Sequence, residues 1–80
     1  MARLYVGNLS YDTIEEHLKA VFAPYGKVTR LMVLRDGESR RSKGFGFVEM
    51  PNPVEAVAAM RGLNGTELQG QQLVVQLVLQ

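Results

Sequence analysis

The sequence has 80 residues, among them nine Lys and Arg, eight Asp and Glu, one histidine and no cysteine, and its formal net charge is +1. A chain of this length forms one domain around one modest hydrophobic core. Without cysteine it has no disulfide, no cysteine-ligated zinc or iron–sulfur site and no cysteine nucleophile. The small net charge neither indicates nor excludes a nucleic-acid partner, because a balanced total can conceal an uneven distribution.

No apolar run is long enough for a signal peptide or a membrane-spanning helix. We therefore expect a protein of the cytoplasm that has no membrane partner. Phosphate-binding motifs are also missing, since Gly44-Phe45-Gly46 has no third glycine and Gly26-Lys27 is followed by Val28. We expect no cofactor, no metal site and no catalytic residue.

The first elements in the chain are a strand and a helix. Leu4-Tyr5-Val6 is a short β-branched and aromatic run that ends at Gly7-Asn8, which is typical of a strand followed by a turn. Thr13 and Glu16 have the spacing of a capping box. Apolar residues then recur at helical spacing, so the pattern predicts an amphipathic helix from residue 13 to about residue 24.

Two further strands follow, joined by a basic loop. Residues 28–34 are mostly apolar and β-branched, and residues 45–50 have the same character, so both segments are predicted to be strands. The segment 35–43 between them contains a glycine, two serines and four of the nine basic residues. We interpret it as an exposed loop.

The last third of the sequence predicts a helix and a final strand. Asn52-Pro53-Val54-Glu55 combines a capping asparagine, a proline at the first helical position and an early glutamate, and Asn64-Gly65 ends the helix. Residues 73–79 form an apolar strand. We expect the strands that a helix separates to pair in parallel. Two such units predict an α+β split βαβ (ferredoxin-like) sandwich over residues 1–80, with both helices on one face of a four-stranded antiparallel sheet.

The other face of this sheet is predicted to be open, and it carries aromatic side chains. Side chains alternate along a strand, so one row of the third strand faces the core; this row contains Gly44, Gly46, Val48 and Met50. We expect its glycines to leave room for a helix. The opposite row places Phe45 and Phe47 on the open face between Lys43 and Glu49, and Tyr5 joins them from the first strand.

Three exposed rings have no folding rationale, because burying each would contribute roughly 1.5–3 kcal/mol. They suit a partner with flat rings, since stacking a nucleobase on an aromatic side chain contributes roughly 1–3 kcal/mol. An alternative is a differently oriented sheet in which Phe45 and Phe47 are core residues, but it would expose Val48 and Met50.

Two segments resemble a known family. Leu4-Tyr5-Val6-Gly7-Asn8-Leu9 and Lys43-Gly44-Phe45-Gly46-Phe47-Val48-Glu49-Met50 are similar to the hexapeptide and octapeptide signatures of the RNA recognition motif family. The octapeptide departs from the family pattern only at Met50, where an aromatic residue is usual. The resemblance covers essentially the whole chain, and it is closest to single-domain bacterial and glycine-rich plant RNA-binding proteins.

This resemblance implies a module that binds single-stranded RNA in post-transcriptional regulation, with single-stranded DNA as a second possible ligand, and it implies no enzymatic activity. By analogy with the family, Tyr5 and Phe45 would each stack under one base. Phe47 would insert between or against the two riboses. Discrimination through the ribose 2′-hydroxyl is implied in kind, without a particular residue.

The resemblance also implies polar contacts around the rings. Lys43 would contact a phosphate, and Arg40 and Arg41 in the loop would hold the backbone electrostatically. Asn8 would lie at the rim with a weaker role, and Gln76 on the last strand could read a base edge. The three basic residues also fit a plain solvated loop, which we would favour if the aromatic residues were absent.

Several positions depart from the family pattern. Four apolar residues are expected on the open face, where many members have polar ones, namely Met32, Leu34, Val74 and Val78. Arg40 stands where related loops often have glycine, and no basic residues follow the last strand. We therefore expect modest affinity and sequence specificity. The apolar edge strand favours an alternative function, a protein-interaction version of the fold, and weak self-association through that strand.

A third class of function is a small enzyme with the same element order, such as an acyl-phosphate hydrolase. Such an enzyme needs an anion-binding loop with a positioned arginine, whereas Leu9-Ser10-Tyr11-Asp12 has neither glycine nor arginine. A metal-carrier version of the fold would need cysteine. The single histidine, His17, lies on the polar side of the first helix and is expected to be a plain surface residue.

Overall fold

The structure is a computed structural model that describes residues 2–35 and 42–78. Its elements are β1 (Ala2–Gly7), α1 (Glu15–Phe22), a 3-10 helix (Ala23–Tyr25), β2 (Arg30–Arg35), β3 (Ser42–Met50), α2 (Pro53–Leu63), β4 (Glu67–Leu68), β5 (Gln71–Gln72) and β6 (Val74–Val78). Four of the strands form one sheet in the order β2-β3-β1-β6, and every neighbouring pair is antiparallel. The predicted fold class is confirmed.

The expected parallel pairing is wrong. The strands that α1 connects, β1 and β2, do not pair, because β3 lies between them. In the same way β1 lies between β3 and β6, which α2 connects. Each helical connection skips the width of one strand, and an antiparallel strand fills the gap. The two signature segments therefore lie on adjacent central strands.

One hydrophobic core joins both helices to the inner face of the sheet. Leu18 and Phe22 of α1 and Ala56 of α2 are fully buried in a cluster with Leu4 and Val48. Met50 is fully buried as well, so the alternative sheet orientation with Val48 and Met50 outside is wrong. Each large apolar side chain buried here contributes roughly 1.5–3 kcal/mol. The helices thereby cover one face and leave the other face of the sheet without a covering element among the described residues.

Helix α1 begins one residue later than the cap prediction requires. Ile14 is its N-cap, and the backbone N–H of Ile14 donates to Nδ1 of His17 at 3.1 Å. The predicted capping box of Thr13 and Glu16 is wrong, because Thr13 is buried and its hydroxyl has no hydrogen-bond partner within the described chain. His17 is half-buried, and its Nε2 lies 3.2 Å from the Gln69 amide nitrogen, so it is more than a plain surface residue.

The two glycines of the signature segment in β3 do not serve to leave room for a helix, as the sequence analysis expects. A Cβ atom at Gly46 would collide with the carbonyl oxygen of Met32 in β2, so this glycine makes room for a neighbouring strand and not for a helix. Gly44 has a φ of 93°, which disfavours a side chain, and its carbonyl accepts a 2.8 Å hydrogen bond from the N–H of Leu9. Together they set the path of β3 beside its neighbours.

The second half confirms the predicted cap and adds a hairpin. Oδ1 of Asn52 accepts from the backbone N–H of Val54 at 2.9 Å and of Glu55 at 3.3 Å, as the sequence predicts. A two-residue turn, Gln69-Gly70, joins β4 to β5, and both of its φ angles are positive, at 52° and 81°. Positive φ at both positions matches the twist of a hairpin. This hairpin was not predicted from the sequence.

Side chains cover one backbone donor on each edge strand of the sheet. The N–H of Val33 in β2 donates to Oε2 of Glu15 at 3.2 Å, and the N–H of Val75 in β6 donates to Oδ1 of Asn64 at 3.0 Å. An uncovered donor on an edge strand can pair with another chain. The beginning of β6 is therefore less open to pairing than its apolar sequence indicates.

Candidate nucleic-acid interface

The face of the sheet opposite the helices carries three rows of residues that cross the strands. The register places Phe45, Gly7 and Val74 in the first row, Met32, Phe47, Tyr5 and Gln76 in the second, and Arg30, Glu49, Arg3 and Val78 in the third. We call Tyr5, Phe45 and Phe47 the aromatic triad, and Arg30, Glu49 and Arg3 the charged row. The triad thus spans the first two rows, and the charged row adjoins it.

The three rings of the aromatic triad contact one another. Tyr5 and Phe45 lie at 29° with their centroids 6.0 Å apart, whereas Phe47 meets Tyr5 at 6.1 Å and 68° and Phe45 at 6.2 Å and 88°. These distances are those of favourable aromatic pairs. All three rings are half-buried, because each covers part of its neighbours. The rings lie on the face that strand alternation predicts, but their contacts with one another were not predicted from the sequence.

Gly7 positions one of these rings. A Cβ atom at Gly7 would lie 2.6 Å from the Tyr5 hydroxyl oxygen and 2.7 Å from its Cε1 atom. The Tyr5 ring therefore lies along β1 above Gly7 and reaches toward Phe45, which is the register partner of Gly7. The sequence offered only the end of a strand as a role for this glycine, so its part in the site was missed.

The basic residues expected to contact phosphates are only partly covered by the structure. Lys43 belongs to β3, two residues before Phe45, but its side chain is not among the described parts. Arg40 and Arg41 lie outside the described residues. The phosphate contacts of all three remain predictions.

Of the two polar residues predicted in the site, Asn8 is hydrogen-bonded within the protein and Gln76 is exposed. Asn8 has a φ of 58°, and its side-chain nitrogen donates to the carbonyl oxygen of Gln72 at 2.7 Å, so it ties the end of β1 to the hairpin. Gln76 is exposed and stands directly opposite Tyr5. Within residues 2–35 and 42–78 its side-chain amide has no hydrogen-bond partner, so it is available to a ligand beside the Tyr5 ring.

The charged row was not recognised from the sequence. Nη2 of Arg3 lies 2.8 Å from Oε1 of Glu49, and the guanidinium carbon of Arg3 lies 5.9 Å from the centroid of the Phe47 ring. Arg30 is exposed and is the register partner of Glu49 on the other side. Strand alternation could have placed Arg3 beside Tyr5, two residues away, but not beside Glu49.

A depression of about 210 Å3 lies where the charged row meets the triad. Its lining consists of Arg3, Arg30, Met32, Phe47 and Glu49. Met32 and Phe47 form an apolar side, and the three charged residues form a polar side. The open face therefore offers a concave polar site in addition to the rings.

The outward apolar residues form a smaller patch than the sequence indicates. Val74 is 39 % exposed, whereas Met32, Leu34 and Val78 are half-buried on the sheet. Together with the hydrogen bond of Asn64 to the edge of β6, this gives the protein-interaction alternative and self-association through that strand little support.

Neither a metal-binding cluster nor a membrane-spanning helix is present in the part of the chain that the structure describes. No group of three or more His, Asp or Glu side chains in it could hold a metal ion. No helix in it is long and apolar enough to cross a membrane.

Comparison with known proteins supports the resemblance seen in the sequence. The family model of the RNA recognition motif matches residues 4–74. RbpB of Nostoc sp. (strain PCC 7120), described as a candidate RNA-binding protein, is 53 % identical over 72 residues, which are 90 % of this chain and 70 % of that protein.

Solved structures agree in fold. The crystal structure of the RNA-binding protein PG1 superposes with a TM-score of 0.93 at 42 % identity, covering 100 % of this chain and 96 % of that one. The RRM domain of Rna15, solved with bound RNA (GU), superposes with a TM-score of 0.84 at 31 % identity, covering 92 % and 79 %. The chain belongs to the RNA recognition motif family.

Proposed function

We propose that this protein binds single-stranded RNA on the open face of its sheet. The observation that carries the proposal is the aromatic triad, three rings within 6.0–6.2 Å of one another on the face that the helices leave uncovered. Rings left on such a face stabilise the fold less than buried ones would, and they suit stacking with bases. The bound RNA in the Rna15 structure, which has the same fold, supports the same ligand class.

Some rings of the triad contact bases of the RNA and others contact its sugars. In the division implied by the family resemblance, Tyr5 and Phe45 stack under bases and Phe47 packs against riboses; the small angle of 29° between Tyr5 and Phe45 supports it. The register supports a competing division. Tyr5 and Phe47 are direct partners on neighbouring strands, so successive bases of an RNA that crosses the strands would stack on those two rings, with Phe45 beside the sugars.

Polar and charged groups at both ends of the triad complete the proposed site. Gln76 offers an amide beside Tyr5 to a base edge, and Lys43, Arg40 and Arg41 are proposed to contact phosphates at one end. The charged row adds a net positive charge at the other end, since it combines two arginines with one glutamate. Stacking on few rings together with electrostatic phosphate contacts favours modest affinity and broad sequence tolerance.

A titration followed by NMR tests the proposal. Random single-stranded RNA is added to the labelled protein, and we expect the largest amide shifts at Tyr5, Phe45, Phe47 and Gln76. Exposed positions of α2, such as Ala58, serve as the internal control and should not move. Shifts confined to the helices or to β6 alone would contradict the proposed face. A parallel titration with DNA of the same sequence measures whether the sugar matters.

A further inference from the structure

The depression beside the aromatic triad is small. Its volume of about 210 Å3 is below the roughly 300–1,000 Å3 of pockets that hold drug-sized ligands. Met32 and Phe47, direct partners on β2 and β3, supply the apolar surface that a flat ring can lie against. An RNA strand that stacks on the triad would pass this depression with its next nucleotide.

The polar side of the depression presents an acceptor that is already fixed in place. Oε1 of Glu49 accepts from Arg3 at 2.8 Å, and the Glu49 side chain is only 12 % exposed. A carboxylate has about four acceptor sites, so the bond to Arg3 leaves others for a ligand. Arg30, directly across from Glu49 and exposed, presents donors on the opposite side.

This donor and acceptor pattern discriminates among bases. The pairing edge of guanine has two adjacent donors, N1–H and the 2-amino group, next to the O6 acceptor. Adenine and cytosine offer one amino donor beside a ring-nitrogen acceptor, and uracil has a single N–H between two carbonyls. Only guanine can donate twice to one carboxylate while its O6 faces an arginine.

We propose that the depression is a base pocket that selects guanine, formed by Glu49, Arg30 and the apolar wall of Met32 and Phe47. This specificity rests on the proposed RNA binding. The two donors of guanine bind the carboxylate of Glu49, O6 accepts from the guanidinium of Arg30, and the ring lies against Met32 and Phe47. Arg3 holds Glu49 in position from the other side. A phosphate group in this depression would meet the negative charge of Glu49, so a base fits better.

The experiment compares short uridine oligomers whose central nucleotide is guanosine, inosine, adenosine or uridine. Binding to the intact chain is measured by fluorescence anisotropy. We expect the guanosine oligomer to bind about ten-fold more tightly than the adenosine oligomer. Inosine lacks only the 2-amino group, so its oligomer should lie between these two. This change is made in the RNA and is independent of how any variant folds.

Protein variants locate the preference. Glu49→Gln replaces a carboxylate, which only accepts hydrogen bonds, with an amide that has one acceptor oxygen and one donor NH2 group. We expect the guanosine preference over adenosine to fall from about ten-fold to less than about two-fold. Glu16→Gln is the matched control, because it removes the same charge from an exposed position on α1. It should retain the full preference. Thermal melting confirms that both variants are folded.

The outcomes separate this inference from the proposed function. If every oligomer binds but guanosine and adenosine bind equally, the base pocket is refuted and RNA binding stands. A preference that persists in folded Glu49→Gln likewise refutes the pocket. If no oligomer binds the wild-type chain, the proposed function itself fails.

Discussion

Replacing Phe47 with alanine removes the ring that joins the aromatic triad to the charged row. Phe47 contacts Tyr5 at 6.1 Å and Phe45 at 6.2 Å, and it lies 5.9 Å from the Arg3 guanidinium carbon. Without this ring's stacking or sugar contact, RNA binding should weaken by about 1–3 kcal/mol, a rise in Kd of roughly 5- to 150-fold.

The same substitution has a smaller effect on the fold. Phe47 is half-buried, so the cost lies below the roughly 3–5 kcal/mol of a fully buried phenylalanine. Two aromatic pairs disappear, each contributing about 0.5–1.5 kcal/mol, so we expect the free energy of unfolding to fall by about 1–3 kcal/mol. A domain with an ordinary stability of about 5–15 kcal/mol remains folded after such a change.

The assay is fluorescence anisotropy with a labelled single-stranded RNA, accompanied by thermal melting of each variant. Phe47→Leu is the matched control, because it keeps most of the apolar volume but has no aromatic face. Phe45→Ala distinguishes the two assignments of the rings. If a base stacks on Phe47, Phe47→Ala and Phe47→Leu should both bind RNA more weakly than Phe45→Ala. A folded Phe47→Ala variant with wild-type affinity would refute the role of this ring.

Three further variants test other parts of the molecule. Exchanging Arg40 and Arg41 together for alanine should reduce the slope of log affinity against log salt by roughly 0.7 for each phosphate that these side chains neutralise, and an unchanged slope would show that the loop does not contact RNA. Gly7→Ala places a methyl group against the Tyr5 ring, so the binding free energy for RNA should weaken by about 1 kcal/mol while the melting temperature changes little. Wild-type affinity for RNA would mean that the ring need not lie over this glycine. Thr13→Val replaces a buried hydroxyl that has no partner in the described chain and should raise the free energy of unfolding by about 1 kcal/mol in denaturant melts, whereas a loss of stability would reveal a hydrogen bond to that hydroxyl.

The sequence determined which side chains of each strand face the core and which face outward. Leu4 and Val48 are buried while Tyr5, Phe45 and Phe47 lie on the open face, as alternation predicts. This holds because the two-residue period of a strand is a local property that does not depend on the partner strand. The cap at Asn52 was predictable for the same reason, since its bonds span two and three residues.

The tertiary structure alone decided which outward residues meet. Arg3 and Glu49 are 46 positions apart, and only the register of β1 against β3 makes them an ion pair beside Phe47. Gly46 is needed because a Cβ atom there would collide with the backbone of β2. At the start of α1, the side chain of His17 accepts the hydrogen bond that was predicted for Glu16. These contacts depend on strand order and packing between distant segments, which local patterns do not contain. The open face and its rings are thus a property of the sequence, whereas the charged row and the depression beside it are a property of the assembled sheet.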